Sequence, residues 1–157
     1  MIQRIQSIFL LLAVLANIAV MLLPQWKTEL AGEVGSINAL LFDAENDQAD
    51  LQFFEHQESG SMALHTGVFA FVTLSSILLL YTIFAFNNRP RQIRLSYIGI
   101  ILIFIEVLLL VLLAQSGTNA NPQIGFALPI VAILLTWLAA RYIRKDDDLV
   151  KSVDRIR

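Results

Sequence analysis

The stretch RLSYIGIILIFIEVLLLVLLA, residues 94–114, decides the fold of this 157-residue chain. After Arg94 it carries one charged residue, Glu106, in an otherwise almost wholly apolar run of about 20 residues, the length that crosses a bilayer as a helix. Three similar runs occupy residues 5–23, 63–86 and 125–143. We therefore predict an all-α membrane protein built as a bundle of four transmembrane helices.

The composition agrees with a membrane protein. The chain is 57% apolar and 15% charged, whereas soluble domains average about 45–50% apolar and about 25% charged residues. We predict one membrane domain, residues 1–145, and a cytoplasmic tail, residues 146–157. The chain has no Cys, which excludes disulfides, thiol nucleophiles and Cys-ligated metal centres.

The basic residues are distributed asymmetrically between the two sides of the four runs. Ten of the eleven fall before run one, between runs two and three, or after run four: Arg4, Arg89, Arg91, Arg94, Arg141, Arg144, Lys145, Lys151, Arg155 and Arg157. Only Lys27 lies on the other side. Because basic loops are retained in the cytoplasm, both termini are predicted to be cytoplasmic.

The first apolar run also has features of a signal peptide. It is, however, longer than the usual signal core of about 7–15 residues, and no small-x-small cleavage site follows it before Pro24. We expect it to be retained as a span.

The predicted outer loop, residues 24–62, contains eight acids and one base. Within it, Gly32 and Gly35 precede an apolar patch at residues 36–42 that either caps the bundle or pairs as a short strand. The loop has too few bulky residues for a core of its own, so we expect it to pack onto the membrane domain.

Glu106 lies deep in the third run. It is twelve residues beyond Arg94, hence roughly 18 Å into an apolar layer about 30 Å thick. A bare carboxylate there is costly, so the group must be protonated, hydrogen-bonded or in contact with a wet cavity. The same depth arithmetic places four partners in its layer: Asn17, Thr73, Ser75 and Ser76.

Two interpretations of this intramembrane layer stay open. A carboxyl among hydroxyl and amide groups could bind a proton, a cation or a basic substrate group, as a transporter requires. Alternatively, protonated Glu106 clamps helices together through a hydrogen bond worth about 0.6–2 kcal/mol. The second is favoured because no other charge is predicted at this depth.

Small residues predict where the helices approach closely. Ala132, Thr136 and Ala140 repeat every four residues on run four, and Gly99 offers a notch on run three. Such positions permit close packing of transmembrane helices.

The tail has an apolar stripe if it is helical, formed by Leu149, Val150, Val153 and Ile156. We predict that it lies on the membrane surface or docks on a partner. The candidate contact residues are Leu149, Lys151, Val153, Arg155 and Ile156. The alternative is a solvated extension in which an Asp147–Lys151 pair supports the helix.

The two ends of the chain, MIQRIQS at residues 1–7 and RKDDDLVKSVDRIR at residues 144–157, together with Pro24-Gln25-Trp26, resemble a four-span membrane protein family from Bacteroidetes. That family is classed as domain of unknown function 4293. The resemblance covers the whole chain and implies no established activity. It implies an inner-membrane protein of a Gram-negative cell with the acidic loop in the periplasm.

The leading functional hypothesis is a non-enzymatic accessory or scaffold subunit of a larger inner-membrane assembly. Its expected partners are the lipid bilayer and either another membrane protein or further copies of the chain; no nucleic acid, cofactor or metal is predicted. The alternative is a small proton- or cation-coupled transporter centred on Glu106. An enzyme is disfavoured because no Ser–His–Asp set, dithiol or metal set is evident in the sequence.

Overall fold

The computed structural model describes residues 3–23, 25–30, 33–37, 59–86, 88–115 and 121–154. These residues form four long helices: α1 (Gln3–Leu22), α2 (Ser59–Phe84), α3 (Arg89–Gln115) and α4 (Ile124–Asp154). Each contains a segment long and apolar enough to cross a membrane. The prediction of four helices that could cross a membrane is therefore confirmed, and their length and composition indicate a multi-pass membrane protein.

The helices pack in a ring. Helix α1 contacts α2 and α4, and α3 contacts the same two helices, which is the up-down-up-down arrangement of a four-helix bundle. The end with the α2–α3 connection and the C-terminal part of α4 carries Arg89, Arg91 and Arg141; we call it the basic end. The opposite end carries three short strands, described below, and we call it the strand end.

Helix α3 begins before the third apolar run, which follows Arg94. It starts at Arg89 and includes Pro90 in its first turn. The N–H that proline lacks has no intrahelical partner at that position. Asn88 precedes the helix, and its carbonyl accepts the first bond, from the Gln92 N–H at 3.0 Å.

Helix α4 continues without interruption through the predicted boundary between residues 145 and 146. Its 31 residues extend about 46 Å at about 1.5 Å per residue, which exceeds an apolar layer of about 30 Å. Pro129 lies inside the helix and not in its first turn, so the Gly125 carbonyl loses its intrahelical donor. The tail is thus a direct extension of span four.

Three short strands cover the strand end: β1 (Trp26–Leu30), β2 (Glu33–Ile37) and β3 (Asn121–Pro122). Strand β1 is central and antiparallel to both neighbours, with Trp26 opposite Ile37 on one side and opposite Pro122 on the other. Of the apolar patch at residues 36–42, residues 36 and 37 belong to β2, and residues 38–42 lie outside the described residues. Backbone pairing therefore connects the α1–α2 loop to the α3–α4 loop.

The bundle core consists of two main apolar clusters, one towards each end. The first, towards the basic end, contains Leu10, Ala13, Val14, Leu79, Ile103, Ala132, Ala139 and Ile143. The second, towards the strand end, contains Val20, Val68, Val72 and Leu110. A Cβ atom added to Gly99 would lie 2.8 Å from Leu79 Cδ2, so Gly99 allows α2 and α3 to approach, as predicted.

The outer surface of the helices is also apolar. Ile77, Phe104 and Leu134 are each more than half exposed. Large exposed apolar side chains on all sides are unfavourable in water but suit contact with lipid.

Candidate functional site: a polar layer inside the bundle

Three polar side chains lie between the two apolar clusters. Asn17 on α1, Ser75 on α2 and Glu106 on α3 are each fully buried, at 0% exposure. Each occupies a helix position flanked by one residue of either cluster: Val14 and Val20, Val72 and Leu79, Ile103 and Leu110. We call Asn17, Ser75, Ser76 and Glu106 the central polar layer.

Asn17 joins α1 to α2. Its side-chain Nδ2 donates towards the Ser75 hydroxyl at 2.7 Å, the Ser76 hydroxyl at 2.9 Å and the Val72 carbonyl at 3.2 Å. The amide has two N–H groups for these three acceptors, so at least two acceptors share one hydrogen. The amide nitrogen is fully engaged with α2.

Ser75 connects this pair to α3. Its hydroxyl donates to the Val72 carbonyl at 3.0 Å, and its side chain also faces the Glu106 carboxyl. The hydroxyl has one hydrogen, which it can donate either to the Val72 carbonyl or to Glu106, and lone pairs that can accept a hydrogen bond.

Three buried oxygen atoms of the layer have no hydrogen-bond partner among the described residues: Asn17 Oδ1, Glu106 Oε1 and Glu106 Oε2. Buried polar atoms are rarely left unpaired, since each costs about 1–3 kcal/mol. A neutral carboxyl would carry an O–H that Ser75 Oγ could accept, whereas a carboxylate would need a cation. The layer can therefore hold a proton or a small cation, and it offers only oxygen ligands to either.

The predicted members of the layer are brought together with one exception. Asn17, Ser75 and Ser76 lie in one hydrogen-bonded group, and Ser75 faces Glu106. Thr73 has the depth of the layer but lies on another face of α2. It is two residues before Ser75, which corresponds to about 200° of rotation around the helix axis. Its hydroxyl donates instead to the Phe69 carbonyl of its own helix at 2.8 Å.

A second group of polar contacts, at the basic end, was not predicted. Gln6 Nε2 on α1 donates to the Tyr142 carbonyl on α4 at 3.3 Å, and Gln92 Nε2 on α3 donates to the Thr82 carbonyl on α2 at 3.2 Å. Glutamines so close to the charged ends of apolar runs give no signal in the sequence that distinguishes a buried contact from hydration.

The Arg89–Asp146 ion pair connects the start of α3 to the extension of α4. The nitrogen–oxygen distance is 3.2 Å, and a second Arg89 nitrogen donates to the Asp146 carbonyl at 3.2 Å. The two residues are 57 positions apart, so no local pattern could have revealed the pair.

Aromatic rings cluster at the basic end, where Trp and Tyr are enriched in membrane proteins. Arg144 lies over the Tyr97 ring at 5.7 Å and Arg141 over the Trp137 ring at 5.6 Å. The Tyr142 ring stacks on Phe9 with centroids 5.5 Å apart.

The predicted contact residues of the tail are only partly described. Leu149 is 48% exposed, and its apolar neighbour Val150 is 44% exposed. Lys151 forms an ion pair with Asp147, the pair that the solvated-extension alternative contains. Val153 belongs to α4, but its side chain, Arg155 and Ile156 lie outside the described residues.

An all-helical bundle with this polar layer defines a class, the small four-span membrane proteins. A family model described as a domain of unknown function, DUF4293, matches residues 2–156. The chain belongs to this family. No curated protein and no solved structure was found to match the chain.

Proposed function

We propose that this protein is a non-enzymatic accessory or scaffold subunit of a bacterial inner-membrane assembly, with the extension of α4 as its cytoplasmic contact. The observation that carries the proposal is an apolar helix face that is covered along the bundle and uncovered beyond it.

This face can be followed along α4. Ala139, Ile143 and Val150 are separated by four and seven residues and so lie on one side of the helix. Ala139 and Ile143 are fully buried, but Val150 is 44% exposed. The side of α4 that packs within the bundle is therefore available to a partner beyond it, together with the adjacent Leu149.

Two ion pairs support the extension in a helical conformation. Arg89 pairs with Asp146 across helices, and Lys151 pairs with Asp147 one turn away. A pre-formed helix loses less conformational entropy on binding than an unfolded tail does. Helix-in-groove recognition uses apolar residues at this spacing.

The test is affinity purification in mild detergent from cells that express the protein at native level, followed by mass spectrometry. The double variant Leu149→Ser/Val150→Ser should lose its co-purifying membrane partner and keep its four spans. Ile124→Ser is the matched control, because Ile124 is 76% exposed at the other end of the same helix. If the double variant recovers the same partners as wild type, the extension is a solvated end and the proposal fails.

The orientation follows from the positive-inside rule, with both termini in the cytoplasm and the acidic loop in the periplasm. Reporter fusions after Arg94 and Arg157 should behave as cytoplasmic, and one at residues 43–50 as periplasmic. A periplasmic reporter after Arg157 would contradict the arrangement.

A second candidate function is a proton- or cation-coupled transporter, favoured by the unpaired carboxyl oxygens of Glu106. Transport requires a carboxyl that exchanges charge within the membrane. The experiment is ion flux driven by a pH gradient into proteoliposomes. Glu106→Gln should abolish it, because an amide cannot release a proton.

Thr73→Val is the control for this experiment, since Thr73 has the depth of the layer but bonds to its own helix. A flux that Glu106→Gln eliminates and Thr73→Val preserves would replace the scaffold by the transporter. Absence of wild-type flux across a panel of monovalent and divalent cations would exclude the transporter.

A further inference from the structure

A second feature of α4 lies on its other side, away from the bundle. An open hollow of about 670 Å³ is lined by Leu138, Arg141, Tyr142, Arg144, Lys145, Asp148, Leu149 and Ser152. Most of these residues repeat at three- and four-residue spacing and form one exposed face of the helix. We propose that this hollow binds the phosphate headgroup of an anionic phospholipid.

The charges of the hollow fit an anion. It contains three bases and one acid, Asp148. The two preceding acids are already paired, Asp146 with Arg89 and Asp147 with Lys151. Within the described residues, Arg141, Arg144 and Lys145 form no ion pair. Only one carboxylate, that of Asp148, competes with an anionic ligand for these three cations.

The two arginines are also positioned by aromatic rings. Arg141 lies over Trp137 and Arg144 over Tyr97. A cation–π contact leaves guanidinium N–H groups available to bind phosphate oxygens with two parallel hydrogen bonds. Holding the side chains in this way reduces the entropy lost when a ligand binds.

The location selects a lipid over a soluble phosphate. Leu138 and Tyr142 belong to the apolar part of α4, and Leu134 one turn deeper is 57% exposed. An acyl chain would therefore run along Leu134 and Leu138 while the phosphate met the cations at the membrane boundary. Polybasic sites at this boundary attract anionic lipids by about 1 kcal/mol per base, about fivefold. The hollow shares Leu149 with the apolar contact face at Val150, but its three cations are not part of that face. The proposal therefore does not depend on the proposed function.

The probe is brominated phospholipid, whose bromine quenches tryptophan on contact. The full chain with Trp26→Phe keeps Trp137 as its only tryptophan, directly beneath Arg141. It is reconstituted in phosphatidylcholine vesicles containing brominated phosphatidylglycerol or, separately, brominated phosphatidylcholine. Preferential binding predicts stronger quenching by the anionic lipid than random mixing gives, with a preference that weakens as salt rises.

The triple variant Arg141→Gln/Arg144→Gln/Lys145→Gln should bring the ratio of observed to randomly expected contact with the anionic lipid close to one. Each base removed should lower this ratio by up to about fivefold. Quenching by brominated phosphatidylcholine should stay unchanged, which reports intact insertion. Arg91→Gln is the matched control, because Arg91 is an exposed base over another ring, Tyr81 at 5.9 Å, outside the hollow.

Three results would overturn the proposal. Equal quenching by both lipids in the wild type would show that no preference exists. An equal loss in Arg91→Gln would show that diffuse charge, not the hollow, attracts the lipid. Competition by millimolar inorganic phosphate at constant ionic strength would show a site for soluble phosphate instead of a headgroup.

Discussion

The central polar layer and the basic end differ in whether their polar groups have hydrogen-bond partners. Both bring polar side chains of different helices together inside an apolar bundle. At the basic end, Gln6, Gln92 and Arg89 each reach a backbone carbonyl of another helix. In the central layer, three fully buried oxygen atoms have no hydrogen-bond partner among the described residues.

The difference indicates what each region contributes. Satisfied contacts between helices fix the packing of the bundle, and the polar groups engaged in them are not available to a ligand. Unpaired oxygens in the middle of a membrane are expensive, so they persist only where a proton or another bound species completes them. The interhelical contacts of the basic end are therefore structural, and the central layer holds the chemical capacity of the bundle's interior.

Replacing Glu106 by Lys should have the largest effect. A lysine near the centre of a transmembrane helix costs about 2.5–3.5 kcal/mol, and the layer offers no second carboxylate among the described residues to pair with it. We expect the free energy of unfolding in mixed micelles to fall by about 3 kcal/mol. A Glu106→Lys protein as stable as wild type would mean that water reaches the layer, which would remove the contrast with the basic end.

The next largest effect should be the coupling free energy between side chains of the central polar layer. In a double-mutant cycle, Asn17→Leu and Glu106→Leu should be non-additive by about 0.5–1.7 kcal/mol, because both side chains converge on Ser75. Thr73→Val with Glu106→Leu is the control pair and should be additive. Additivity of both pairs would show that depth alone, without contact, relates Asn17 to Glu106.

At the basic end, the Arg89–Asp146 pair should contribute less. Its side chains are 24% and 12% exposed, so water screens the interaction in part. The cycle Arg89→Gln with Asp146→Asn should give a coupling of up to about 1 kcal/mol that falls as salt is added. A coupling insensitive to salt would show that this end is as secluded as the central layer.

The smallest effect is expected from Lys151, whose side chain is 61% exposed in its pair with Asp147. Lys151→Gln should lower stability by about 0.3–0.5 kcal/mol, again less in high salt. Circular dichroism of the intact protein in detergent should show little loss of helix. A much larger loss would indicate that the extension packs against another part of the chain.

Sequence alone determined the number of spans, their positions and the depth of Glu106, because a bilayer imposes a length and an apolar composition on each helix. These are properties of a single segment and need no neighbour. Depth was enough to bring Asn17, Ser75 and Ser76 to the level of Glu106. Depth is only one coordinate, however, and Thr73 shows its limit.

The tertiary structure decided the rotation of each helix about its axis. That rotation separates Ser75 from Thr73, pairs Arg89 with Asp146 across the chain, and directs Val150 to one side of α4 and Arg141 to another. It results from packing among all four helices, in which the close approach at Gly99 and the polar bonds of Asn17 act together. Because packing depends on side chains of several segments at once, no pattern within one segment encodes it.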